Sequence, residues 1–275
     1  MSRESEFRPR YGVIGAGSVG RSLIGRLPAK ARELGPIAAV SYRVASRIAN
    51  VLRAGYAVRT AGELERAPVI LFYSPPDQAE ALLTLLEAAQ MRWKGRALIF
   101  CDCEAEASAR ACFHQRGASI AVVRQFGIAG RIAVEGAGVA LKAARRIARA
   151  LQLKPVELSA GSTDLFDSAV TLGTCALTPL IDRAAAILRR AGVRDRDAVY
   201  LAAALFQQTA REYAHSGRQS WGWHSQEPEV KRLEAQIRAS ELQLGPLLRE
   251  LLLLGFEAFD RHGEVASRLR QRERD

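Results

Sequence analysis

No stretch of the 275 residues is the long, uncharged apolar run that a membrane span needs. The opening MSRESEFRPR is polar and charged, so it reads as a disordered tail and not as a secretory signal. Cysteine is sparse. Cys101, Cys103, Cys112 and Cys175 are unevenly spaced, which argues against a disulfide framework and for reduced thiols in a cytoplasm. Cys101, Cys103, Cys112 and His114 fit none of the usual zinc spacings, and no metal site is expected. The four histidines are scattered, and no Ser-His-Asp arrangement is visible. Lysine supplies only five of the 40 basic residues. Acid is short in one half alone: residues 1–155 hold 24 Lys+Arg against 12 Asp+Glu, whereas residues 156–275 hold 16 against 17. The excess positive charge of the first half should attract a phosphorylated or polyanionic partner. The sharpest local absence is in AAVSYRVASRIAN, residues 38–50, which has no acid at all.

What is present alternates. Tyr11–Gly15, Ile37–Tyr42, Val69–Tyr73, Ala97–Cys101, Ser119–Val123, Ile132–Glu135 and Val156–Leu158 read as strands. Helical spacing fills Ser18–Leu34, with a kink at Pro28, and Val44–Arg53, Gln78–Ala89, Glu104–Gln115 and Val139–Leu151. This alternation predicts an α/β domain with a mainly parallel sheet. After Ser159 strand signals stop. Helices are expected over Thr163–Ala191, Arg196–His215, Pro228–Leu244 and Leu247–Arg261, an all-α region. The expected organisation is a tail over 1–9, a Rossmann domain over 10–159, an all-helical dimerisation or substrate domain over 160–262, and a tail over 263–275. Leu244–Phe256, apolar nearly all round, is expected to be buried at a subunit interface.

Gly15-Ala16-Gly17-Ser18-Val19-Gly20 is a full G-x-G-x-x-G between an expected strand and an expected helix, the context that gives this pattern its meaning. Gly15 would allow the turn, Gly17 the close approach of a pyrophosphate, and Gly20 the packing of helix on strand, with the helix N-terminus facing the phosphates. A dinucleotide site selective for NAD usually carries an acid after the second strand, to hold the ribose. Here Ser41, Arg43 and Arg47 stand instead, and a guanidinium grips a 2′-phosphate that a carboxylate would repel. The expected cofactor is therefore NADP. Ser74, Pro75 and Pro76 close the third apolar run on the same edge and are candidates to line the nicotinamide side.

In the long helix Asp164, Asp167, Ser168, Thr171, Thr174, Cys175 and Thr178 recur at steps of three and four and share one face. Either this stripe faces a substrate cleft between the domains, with Asp167, Thr171 and Thr174 as candidate catalytic groups, or its small residues serve close packing. Pro179 removes the helical partner of the Cys175 carbonyl and should kink the helix.

GAGSVGRSL, VILFYSPPD, IAVEGAGVALKAARRIARALQLKPVEL and STDLFDSAV together resemble an uncharacterised bacterial Rossmann-like family with a C-terminal helical domain of unknown function. That family is a cousin of pyrroline-5-carboxylate reductase and deazaflavin-dependent NADP reductase in the 6-phosphogluconate dehydrogenase-like superfamily. The resemblance spans residues 10–262, close in the first domain and loose after Gly192. It implies NADP binding, a cytoplasmic homodimer and a reductase whose substrate is not established; the working expectation is a reductase of a small carbonyl or imine compound, with the nicotinamide held between the domains. The chain departs from the pattern where chemistry is expected. Cys101-Asp102-Cys103-Glu104 stands for a His-Thr-Ser-like turn, and Arg124-Gln125-Phe126 for a His-Pro pair. Thr163 and Asp167 stand for a Lys and a His, and the loop around Trp221-Gly222-Trp223-His224 for a Gly-Pro turn. A non-catalytic NADP-binding sensor or scaffold is therefore the competing reading. Nucleic-acid binding ranks last, for want of a motif.

Overall fold

Residues 10–27, 33–103, 107–220, 250–251 and 254 are described in the computed structural model of the chain. The expected tails, the Pro28 kink, the helices over Pro228–Leu244 and most of Leu247–Arg261, the Trp221–His224 loop and nearly all of Leu244–Phe256 lie outside them. The described residues fall into two compact units that meet within the long helix, 1–170 and 171–275.

The first unit is built on eight strands: β1 (Tyr11–Gly15), β2 (Leu34–Ala38), β3 (Tyr56–Ala57), β4 (Val69–Tyr73), β5 (Ala97–Cys101), β6 (Ser119–Arg124), β7 (Arg131–Gly136) and β8 (Lys154–Leu158). They form one sheet in the order β3-β2-β1-β4-β5-β6-β7-β8, parallel throughout except at β6–β7. Four helices cover it: α1 (Tyr42–Leu52), α2 (Ala79–Ala88), α3 (Ala107–Gln115) and α4 (Gly138–Ala150). The central strands are apolar on both faces, as a sheet covered twice requires. Val13, Leu71, Ile99 and Val123 pack with Ala45, Ile48, Ala144 and Ile147 of α1 and α4. Ile14, Phe72, Leu98 and Phe100 pack with Leu82, Leu86 and Phe113 of α2 and α3. This is a Rossmann-like sheet followed by helices, the fold class that the alternating pattern predicts.

Two expected elements differ. The second strand is Leu34–Ala38, not Ile37–Tyr42. Pro36, which cannot donate to the ladder, is absorbed by a register slip in which Tyr11 pairs with Leu34 but Val13 with Ile37. The strand ends early because Ser41 is an N-cap: its Oγ accepts from the Val44 N–H at 3.3 Å, so Tyr42 already begins α1. The helix expected over Ser18–Leu34 is replaced, in its described part, by two single 3₁₀ turns, Val19–Arg21 and Ile24–Arg26. Side chains compete there for the backbone. Ser22 Oγ donates to the Val19 carbonyl and accepts from the Ile24 N–H, and Asp102 Oδ2 accepts from the Leu23 N–H at 2.9 Å. Gly25 sits so close to Gly20 that a Cβ would stand 2.3 Å from the Gly20 carbonyl oxygen.

The long helix starts as α5 (Thr163–Thr171), widens to a π turn over Leu172–Ala176 and continues as α6 (Leu177–Arg190). The π turn lies just before Pro179, where a disturbance of the ladder was expected, and the Thr178 hydroxyl donates to the Thr174 carbonyl at 3.0 Å. By length and mean hydropathy, 1.2 over its most apolar window, Thr163–Arg190 could cross a membrane. That corrects the expectation of no such segment, although one helix meeting this test is weak evidence for a span. α6 packs against α7 (Asp195–Ser216) in the second unit.

Candidate nucleotide crevice and adjoining cavity

The chain leaves β1 for β2 and β3 on one side and returns at β4 to build outward on the other. The C-terminal ends of β1 and β4 therefore flank the point where strand order reverses, the place where open α/β sheets hold ligands. The glycine loop follows β1 there and is tied to β4 by the Ala16 N–H, which donates to the Tyr73 carbonyl at 3.2 Å. A Cβ on Gly15 would stand 3.2 Å from that same oxygen, and one on Gly20 would stand 2.6 Å from Val51 of α1. Gly20 thus permits close packing on a neighbouring helix, not on its own strand. Around Gly17 the space is open, with no heavy atom within 4 Å of a Cβ position. The N–H groups of Gly17 and Ser18 donate to no acceptor among the described residues. Val19 is buried and Ser18 exposed, with Ser18 Oγ 3.3 Å from the Tyr73 hydroxyl. A 3₁₀ turn follows instead of an α-helix, so the helix N-terminus that the sequence suggested for the phosphates does not form there.

At the next strand end Ser41 is spent on capping α1, while Arg43 and Arg47 are exposed and have no ion-pair partner among the described residues. Arg43 sits in the first turn of α1, which contains no acid. A cation is disfavoured at this positive helix end, and a bound anion would relieve it. Tyr42, 51% exposed, lies under the Arg59 guanidinium at 5.3 Å from the ring centre. Sequence reasoning missed this pair, since nothing local marks Arg59 as a neighbour of Tyr42. Open loop amides, a cradle that a side chain would fill and two unpaired guanidiniums fit a dinucleotide phosphate backbone. Ser74, by contrast, is buried and its hydroxyl donates to the Pro75 carbonyl at 2.7 Å, so it is not a free donor.

Beside the crevice, among α2, α3 and the start of α5, is a cavity of about 1000 Å³ lined by Pro76, Cys103, Arg124, Asp167 and others. The structure brings Asp167 to this wall and pairs it with Arg124 (Oδ2 to Nη1, 2.5 Å), while Arg124 Nη2 donates to the Cys103 carbonyl. The Arg124 Nε is buried without a hydrogen-bond partner. Thr171 and Thr174 are exposed, belong to the other unit and do not line it. Burial pushes the Cys103 thiol up to about 12, so it is a neutral thiol and no nucleophile. Asp102, at φ 50°, accepts from the Leu23 N–H and from both the main chain and side chain of Gln125, locking the turns after the glycine loop to the end of β6.

Glu135 is the residue that places α5. It is buried on β7, with Oε1 accepting from the Gly161 N–H at 2.9 Å and Oε2 from the Thr163 N–H at 2.8 Å and the Thr163 hydroxyl. Arg110 of α3, on the cavity wall, lies 3.9 Å away. Burial alone would raise its carboxyl, but the bonds from Thr163 and Gly161 and the Arg110 charge outweigh that and lower it. The signal was readable: Glu135 is an acid inside the apolar strand RIAVEG, where an unpaired charge would not survive. Among the described residues no group of three His, Cys, Asp or Glu could hold a metal ion.

No protein-family model matches the chain, and no curated protein matches it in sequence. Solved structures match nearly its whole length. An imine reductase from Aspergillus terreus, in complex with NADPH4 and a dibenzazepine, is 17% identical, with a TM-score of 0.67 over 92% of this chain and 96% of that one. An imine reductase from Bacillus cereus is 15% identical, with a TM-score of 0.64 over 98% of this chain and 100% of that one. A variant imine reductase from Myxococcus stipitatus, in complex with NAD+, is 17% identical, with a TM-score of 0.60 over 97% and 94%. At such identities the likeness shows a shared fold, a Rossmann-like sheet with a C-terminal helical region.

Proposed function

We propose that the chain is an NADP-dependent reductase of a small carbonyl or imine compound. The observation that carries this reading is the open glycine loop at the strand-order reversal, with unpaired Arg43 and Arg47 at the neighbouring strand end. The Gly17 and Ser18 amides would hold the pyrophosphate, and Arg43 and Arg47 the 2′-phosphate. When bound, the nicotinamide supplies the hydride. Pro76, on the rim of the cavity, would bound the nicotinamide end, and Arg124 would stabilise charge developing on the reacting oxygen or nitrogen. Asp167, held by Arg124, is a group on this wall able to hold or pass a proton. Structural neighbours that bind NADPH or NAD+ add support at the level of cofactor type.

Three observations favour the second reading, a sensor that binds NADP without turnover. Asp167 is engaged in an ion pair, Cys103 is neutral, and no histidine lines the cavity. Titration with NADPH and NADH, followed by nucleotide fluorescence, tests the shared half of both. NADPH should bind more tightly, and Arg43→Ala should weaken NADPH but not NADH. Binding of neither nucleotide would end both readings. NADPH oxidation across a panel of carbonyls and imines then separates them.

A further inference from the structure

A further arginine joins Arg43 and Arg47 from a different element. Residues 34–62 hold four arginines, Arg43, Arg47, Arg53 and Arg59, and no acid. Arg59 follows β3, whose pairing with β2 is extended by the Val58 N–H, which donates to the Ile37 carbonyl at 2.9 Å. That pairing brings Arg59 to the C-terminal end of β2, the strand beside β1, where α1 begins. The Arg59 guanidinium lies 5.3 Å from the centre of the Tyr42 ring, and Tyr42 directly precedes Arg43 in the first turn of α1. The nearest acid in sequence does not neutralise it. Glu63 accepts from the Arg59 and Thr60 N–H groups at 3.2 and 3.5 Å and pairs with Arg66 at 3.7 Å. Its carboxylate is thus spent on the main chain at the start of the 3₁₀ turn Ala61–Arg66 and on another cation. Arg43, Arg47 and Arg59 are all exposed, and none has an ion-pair partner among the described residues. A carboxylate would take up to two N–H groups of a guanidinium, whereas a ring face holds the charge and leaves most of them for an oxygen ligand. Like charges gathered beside the positive end of a helix repel one another, and a dianionic phosphate turns that repulsion into attraction.

We infer that Arg59 is a specificity residue for the 2′-phosphate of the dinucleotide, and that the Tyr42 ring is the platform that positions it. The inference rests on the cofactor half of the proposed function and adds to it a residue outside the α1 stretch. Arg59 meets the group that distinguishes NADPH from NADH, so it should act on one nucleotide and leave the other alone. Titration of the full chain and its variants with NADPH, NADH, 2′-AMP and 5′-AMP tests this. The two mononucleotides carry the same base and differ in where the phosphate sits. The unsubstituted chain should bind 2′-AMP more tightly than 5′-AMP. Arg59→Ala should weaken NADPH and 2′-AMP about tenfold or more, with NADH and 5′-AMP nearly unchanged. Tyr42→Phe keeps the ring and should bind NADPH as the unsubstituted chain does. Tyr42→Leu removes it and should weaken NADPH severalfold without touching NADH, because Arg59 must then be ordered by the ligand itself. Both side chains are exposed, so Tm should hold in all three variants, which separates a lost ligand contact from a lost fold. An Arg59→Ala chain that keeps its full preference for NADPH, or one that loses NADH equally, would overturn the assignment. Unchanged NADPH affinity in Tyr42→Leu would remove the platform. Failure of the unsubstituted chain to bind either dinucleotide would instead bring down the cofactor reading itself, and this inference with it.

Discussion

At the residue scale two kinds of glycine around the crevice make separable predictions. Gly25 and Gly20 are packing glycines: a Cβ on Gly25 would press into the Gly20 backbone, which cannot swing aside as a side chain can. Gly25→Ala should therefore cost about 1–3 kcal/mol, read as a lowered Tm in thermal unfolding. Gly17 has room for a methyl group, so Gly17→Ala should leave Tm nearly unchanged and weaken NADPH, because the methyl occupies the approach to the open amides. An equal loss of Tm in both variants would show that Gly17 is structural. The motif was legible because its chemistry is local: three glycines and a strand are adjacent in sequence. Arg59 over Tyr42 was not legible, since the partners come from different elements that only the β2–β3 pairing brings together.

At the element scale the position of α5 depends on one buried carboxylate. Glu135 receives the first amides and hydroxyl of α5 and faces Arg110. Glu135→Gln puts an NH₂ group against N–H donors, and about 2 kcal/mol of stability should go with it. The sign of the pH effect follows from the direction of the shift. A carboxyl lowered in the folded state contributes stability that is present above its ordinary value near 4.5 and lost as the pH falls below that. Protection of the α5 amides against hydrogen exchange, relative to their intrinsic rates, should therefore hold above about pH 4.5 and fall below it in the native chain, and be low throughout in Glu135→Gln. Exchange independent of both would mean that α5 is held otherwise. Most elements were legible from periodicity, because strands buried on both faces and amphipathic helices carry their signal within ten residues. The segment after the glycine loop was misread for a physical reason. Its apolar spacing is helical, but Ser22 and the distant Asp102 take the backbone groups that a helix would use. Asp102 lies some eighty positions away in the chain, beyond any local pattern.

At the scale of the whole molecule the two halves were legible as different in charge and in period, and they predict different partners. Excess arginine in the first half should make nucleotide binding salt-dependent, more for NADPH than for NADH because of the extra phosphate. In the second unit the helices α6 and α7 meet through small residues: Ala185, Ala198 and Ala202 are buried. The larger apolar side chains are left outward, with Leu172 at 68%, Tyr200 at 73% and Leu205 at 55% exposed. That arrangement is the reverse of a self-sufficient helical pair, in which leucine and tyrosine would be the first to be buried. Exposed large hydrophobics on these helices need a cover, and a second copy of the chain is the cover expected here. Light scattering on the full chain at micromolar concentration should give twice the 30.0 kDa chain mass. Leu205→Glu, a charge placed on a side chain that is more than half exposed, should shift the population to single chains without lowering helix content in circular dichroism. A single-chain mass in the unsubstituted protein would instead mean that residues of the same chain cover these side chains. Leu205→Glu would then lower Tm rather than change mass, so the two measurements together decide which surface α7 faces.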